Sequence, residues 1–223
     1  MSKLSVAEQG HGFEIQKDVR YYLGFTPTQS HLHDPFDIDS LYTHVKAINV
    51  KSSKFPQGTI NLSDAKTYLS CNDPHTIIAV YHERLDDQDV IVNRLAWFLI
   101  KSETIKIMWG DLTLDDAIKF NECIESMGCD KYTNRDTARR WKKEHSHKSS
   151  LMLNPKMGPG NDRLQISITT RRLVNILSKN EYATLSLEEY RNDPNVVDNF
   201  PGKFRQLLPI LGRRYSHKQR FSD

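Results

Sequence analysis

Period-2 alternation is clearest near the start of the chain. Pro35-Phe36-Asp37-Ile38-Asp39 and, after a short gap, Ala47-Ile48-Asn49-Val50-Lys51-Ser52-Ser53 exchange apolar and polar positions residue by residue. Successive side chains of a strand point to opposite faces, so both stretches are predicted as short strands. Phe36, Ile38, Ile48 and Val50 then take buried faces, while Asp37 and Asp39 share one polar face and Asn49 and Lys51 share another. Upstream, Phe13, Ile15, Val19 and Leu23 recur near helical spacing within residues 12–24, and Gly24 suits a left-handed cap, so an amphipathic helix is expected there.

Downstream, Ser63 is expected to cap a short helix through Leu69, and the β-branched run Thr76–Tyr81 reads as a central strand. Val90–Val92, Leu95–Ile100 and Thr104–Trp109 continue in strand-like text, and Thr113 opens a helix stopped by Gly128. This order predicts a mixed α/β fold, a central mixed β-sheet flanked by helices. Past Asp130 come a basic helix over Asn134–His145, then a hairpin of 151–157 and 163–168 around a glycine-rich turn at Gly158–Asn161. A helix over Thr170–Ser178 and a capping box at Ser186–Glu189 follow. The 223 residues fit one domain: a catalytic core of about 8–128, recognition elements of about 131–177 and a basic C-terminal segment of about 200–222.

Charge refines this division. The net charge is only +3, yet eleven Lys or Arg lie between Lys131 and Arg172 against three acids, and residues 200–222 carry six with no acid. Such a field suits a polyanion. No apolar run approaches the roughly 18 residues of a membrane span and Met-Ser-Lys-Leu-Ser lacks a signal core, so no membrane partner and a cytoplasmic location are expected. Cys71, Cys123 and Cys129 lack paired zinc spacing and read as reduced thiols; His31-Leu-His33-Asp34 reads as a polar loop. Neither a Walker loop nor a Gly-x-Ser-x-Gly elbow is present, which disfavours nucleotide hydrolases and serine esterases.

Hydrolysis of a phosphodiester needs a metal to neutralise developing charge, oxygen ligands to hold it and a cation beside the attacking water. Asp37 is a candidate metal ligand, Asn49 a neutral oxygen ligand, and Lys51 the group that orients the water. Together, Pro35, Asp37 and Asn49-x-Lys51 resemble the PD-(D/E)XK nuclease superfamily, especially type II restriction endonucleases. Glu14, on the helix just upstream, resembles the acidic helix residue that often joins that site. The sequence departs from the usual pattern in having Asn at 49 where an acid is commoner, and one fewer negative charge should weaken a second metal.

The resemblance implies a restriction-endonuclease-like fold with an added basic helix and hairpin, Mg²⁺ held by Asp37, Asn49 and Glu14, and double-stranded DNA as substrate. It also implies a 5′-phosphate product, a companion DNA methyltransferase and a homodimer for a palindromic target. Candidate DNA contacts are Arg139, Arg140, Lys142 and Lys143 for phosphates, with Asn154, Lys156, Asn161, Arg163 and Gln165 for base edges. A structure-directed or repair nuclease of the same fold, and a DNA-binding protein that does not cut, are the alternatives.

Overall fold

The computed structural model describes residues 4–25, 47–55, 58–70, 73–86, 89–126, 131–157 and 163–216. The expected strand 35–39 with Asp37, the histidine loop and the turn bearing Asn161 lie outside the described residues. The fold is mixed α/β, and contacts divide the chain into two compact units. One comprises 1–58, 75–100 and 178–223; the other comprises 59–74 and 101–177. Residues 101–126 belong with 131–177, and 178–216 return to the first unit, because its strands are neighbours in space while remote in sequence.

In the first unit, β1 (Ala47–Lys54) runs parallel to β3 (His75–Arg84), and β4 (Asp89–Ile100) is antiparallel to β3. Two short strands, β7 (Tyr182–Ser186) and β8 (Arg214–Ser216), add antiparallel to different stretches of β4, giving a mixed sheet. Both sheet faces bury apolar side chains. On one, Ile48, Val50, Ile78, Val80, Leu95 and Leu185 pack with Ile15, Val19 and Leu23 of α1 (Leu4–Tyr22); on the other, Ile77, Ala79, Ala96, Phe98 and Ile100 are buried. That helix ends as its sequence predicts: Gly24 has φ +79°, its N–H reaches Tyr21 O at 3.0 Å, and Phe25 N–H reaches Arg20 O at 2.9 Å.

The C-terminal stretch, basic in sequence, also contributes to the core. Two 3-10 helices, Pro194–Asn199 and Gly202–Ile210, precede β8, and Phe200, Phe204, Leu207, Ile210 and Tyr215 are buried in the same core. Its cations hold the fold: Arg205 donates to Phe200 O and Asp198 O, while Arg213 pairs with Asp18 of α1 at 3.1 Å. The Tyr215 hydroxyl donates to the same carboxylate at 2.6 Å, and burial followed by that bond pushes the phenol pKa far up. The capping box at Ser186 forms as expected and starts α7 (Leu187–Asn192).

The second unit holds a three-stranded antiparallel sheet in the order β2 (Thr59–Asp64), β6 (Arg163–Thr169), β5 (Met152–Lys156). Around it lie α2 (Ala65–Leu69), α3 (Ser102–Trp109), α4 (Leu114–Ser126), α5 (Lys131–His145) and α6 (Thr170–Ile176). The strand expected over Thr104–Trp109 is a helix. Thr104, Ile105 and Met108 are buried while Ile107 is 55% exposed, a helical period that the β-branched composition concealed. Ser63 does not cap α2 either; Asp64 does, its carboxylate accepting from Thr67 N at 3.2 Å. None of the described helices is long and apolar enough to cross a membrane.

Candidate functional site

Along β1 successive side chains alternate between faces, but Asn49 and Ser53 are buried as well as Ile48 and Val50, so the expected open polar face is a covered one. Ile48 and Val50 enter the α1-side core, so Asn49 and Lys51 project from the opposite face. Register places Ile77 and then Phe98 beside Asn49, and Ala79 and then Ala96 beside Lys51. Asn49 is 0% exposed, whereas Lys51 is half-buried. A buried amide thus lies two residues from a half-buried lysine on the same face of the strand. Asp37, the third member of the expected set, is outside the described residues.

Glu14 is not brought to this pair. Beside the apolar Ile15, Val19 and Leu23, α1 turns towards β1 Gly12, where a Cβ would stand 3.1 Å from Ser52 Oγ, and Gln16, whose Nε2 donates to Val50 O at 3.2 Å. Residues two apart on a helix diverge by about 200°, so Glu14 points away from β1. It is 42% exposed and pairs with Lys17 at 3.2 Å. The polar side chain that α1 does deliver to β1, on the carbonyl between Asn49 and Lys51, is Gln16. Sequence reasoning passed over it, although its four-residue spacing from Gly12 was the available signal.

The donor chemistry suits a hard cation only in part. A carboxylate at Asp37 and an amide oxygen at Asn49 are ligands of the kind Mg²⁺ takes. Glu14 turns away from β1 and Asn49, and among the described residues no group of three or more His, Cys, Asp or Glu lies together.

The expected phosphate contacts sit in the second unit. Helix α5 buries a narrow stripe of Asn134 and Ala138, with Trp141 and His145 half-buried, and leaves Arg139, Arg140, Lys142 and Lys143 exposed. Trp141 stacks on His145 with centroids 4.1 Å apart and meets Phe120 of α4 at 4.8 Å. The end of α5 is tied to the start of α4 by Asp116, whose carboxylate approaches His145 Nε2 at 3.5 Å and accepts from Lys148 at 3.0 Å. Burial pushes the Asp116 pKa up, but the Thr113 amide, the Lys148 ammonium and the Thr113 hydroxyl more than offset it and hold the carboxyl below its usual value. Arg139 pairs with Asp136 at 3.4 Å; among the described residues Arg140, Lys142 and Lys143 make no ion pair.

In the β5–β6 hairpin, Asn154 lies opposite Gln165 and Lys156 opposite Arg163 on one face. The other face buries Leu153, Leu164, Ile166 and Ile168. Asn154 Nδ2 donates to Met152 O at 3.3 Å and Ser167 Oγ at 2.8 Å, so both of its protons are spent inside the sheet. Of the base-edge candidates, Lys156, Arg163 and Gln165 stay open and Asn154 does not.

Fold and geometry together define a mixed α/β protein with a polar pair on a sheltered strand of one unit and a cationic helix and hairpin in the other. No protein-family model, curated protein or solved structure matches the chain.

Proposed function

We propose that the protein is a Mg²⁺-dependent, sequence-specific double-stranded DNA endonuclease of the type II restriction kind. The observation that carries the reading is the delivery of Asn49 and Lys51 to one sheltered face of β1, with Val50 between them held from behind by Gln16. In this reading Asp37 and Asn49 hold the metal and Glu14 does not. The cation supplies charge neutralisation at the scissile phosphate. Lys51 orients the attacking water and stabilises the negative charge that builds on the phosphate oxygens. Placement of Asn49 among Ile77 and Phe98 lowers the local dielectric, which strengthens each of these electrostatic interactions.

Exposed cations that make no ion pair among the described residues support DNA as the substrate. Arg140, Lys142 and Lys143 along α5, with Lys156 and Arg163 at the hairpin end, are exposed, and phosphate contacts of this kind supply most of a protein's non-specific affinity for a duplex. A homodimer on a palindromic target and a companion methyltransferase belong to the same reading. A DNA-binding protein that does not cut is the second reading, favoured by the amide at 49 and by the outward turn of Glu14. Cleavage of plasmid in Mg²⁺ by the wild type and by Lys51→Ala separates the two: discrete fragments from the wild type alone support the enzyme, and binding without cutting supports the second reading.

A further inference from the structure

Which side chains read the bases follows from the polar face of the β2-β6-β5 sheet. Register puts Asn61 of β2 opposite Ser167 and Asp64 opposite Gln165, so β2 extends the face on which Gln165, Lys156 and Arg163 lie. The ladder shifts between Asn61 and Ser63, where Ser63 takes φ +152°, a backbone conformation that L side chains rarely adopt. A bulge re-aims the side chains around it. Here it turns Asp64 on to the polar face, and that carboxylate is spent capping α2. What the face presents outward is Asn61, exposed, and Gln165, half-buried; among the described residues neither amide has a hydrogen-bonding partner.

At the hairpin end Lys156 stands directly opposite Arg163. Like charges so placed repel, and an anion between them relieves the repulsion. Three strands about 4.8 Å apart span about 10 Å, within the roughly 12 Å width of the major groove, where Asn or Gln makes a bidentate contact to adenine through N6 and N7. Asn154 is unsuited because its N–H groups are already used. Diagonal neighbours on paired strands are about 7–8 Å apart, close to two base-pair steps of about 3.4 Å each.

We infer that Asn61 and Gln165 are the specificity-determining pair, each reading an adenine in the major groove at positions no more than about two base pairs apart, while Lys156 and Arg163 grip flanking phosphate. This rests on the DNA-directed reading above and names the bases that it recognises.

The test is selection from a pool of random 30-base-pair duplexes by the full chain with a chelator present to prevent cutting, repeated with Asn61→Ala, Gln165→Ala and Lys156→Ala. The enriched sequence should contain A·T pairs at which Asn61→Ala and Gln165→Ala each lower preference by about 5- to 150-fold. Lys156→Ala should weaken all sequences alike. Replacing the adenine with 7-deazaadenine should reproduce the loss with the wild-type protein, which separates a reading role from misfolding of the variants. A preference unchanged in both amide variants, or a loss confined to G·C positions, overturns the inference and leaves the DNA-directed reading standing; binding without any sequence preference overturns the inference and the sequence-specific part of that reading with it. No binding to any duplex overturns that reading and this one with it.

Discussion

Replacing Asn49 with Asp restores the acid that the PD-(D/E)XK pattern usually carries and places a carboxylate in a fully buried position between Ile77 and Lys51. Burial raises a carboxyl pKa by about 3 units or more, which at about 1.36 kcal/mol per unit is a penalty near 4 kcal/mol. Lys51 lies two residues along the same face, about 7 Å away at strand spacing, and returns about 2 kcal/mol at an effective dielectric near 20. The net cost is about 2 kcal/mol, equivalent to a folded pKa a little over one unit above that of the unfolded chain. A raised pKa fixes the sign: Asn49→Asp should match the wild type below about pH 4 and lose stability as pH rises through the folded pKa, levelling off beyond it. In melting temperature the loss is about 4–8 °C at neutral pH for a chain of this size. Saturating Mg²⁺ should return about 2–3 kcal/mol to the variant and less to the wild type, because the introduced carboxylate binds the ion more strongly than the amide. The assay is thermal unfolding from pH 4 to pH 8 with and without Mg²⁺. A difference from wild type that ignores pH, or Mg²⁺ stabilisation no larger than that of the wild type, refutes the placement of residue 49 beside the metal.

Glu14→Ala should leave cleavage within about twofold of wild type, while Gln16→Ala, which removes the bond to Val50 O, should cost about 1 kcal/mol of stability and a larger share of activity; parallel kinetics and urea melts of both variants check this. Lys142→Ala and Lys143→Ala should each weaken duplex binding uniformly across sequences and reduce the slope of log affinity against log salt by about 0.9, read by titrations at several salt concentrations. Phe204→Ala, which removes the ring packed 5.8 Å from Trp97, should cost about 3–5 kcal/mol in urea unfolding, where a merely DNA-contacting tail would leave stability unchanged. Asp116→Asn should destabilise by about 1–2 kcal/mol at pH 7. Because the Asp116 pKa is depressed in the fold, that difference should be full at neutral pH, shrink once pH drops below the ordinary carboxyl value and vanish only below the lowered one, in melts taken across that range.

Elements whose signal is local were legible in the sequence. The Gly24 cap of α1, the strand at β1, the β5–β6 pairing and the Ser186 capping box depend on neighbours a few residues away and form as expected, although α1 starts at Leu4, ahead of the expected residue 12, and β1 is buried on both faces at Asn49 and Val50. Two kinds of information were not local. Thr104–Trp109 carries β-branched residues that suit a strand, and only the packing of Thr104, Ile105 and Met108 makes it a helix. Residues 200–216 look basic because Lys and Arg dominate the composition, yet the aromatic and aliphatic residues between them complete the first unit's core. For the site, spacing identified Asn49 and Lys51 as sharing a face, since a strand has a fixed period. The orientation of Glu14 required knowing which side of α1 meets β1, and that is set by the Gly12 and Gln16 contacts.

The central claim, hydrolysis at the β1 pair with Asp37, is tested most directly by incubating supercoiled plasmid with Mg²⁺ and the wild-type protein, Lys51→Ala or Asp37→Ala, each variant shown to bind the same DNA. The account predicts discrete linear fragments from the wild type and uncut plasmid from both variants. Bound but intact plasmid with the wild type in every divalent metal, or fragments persisting in either variant, contradicts it.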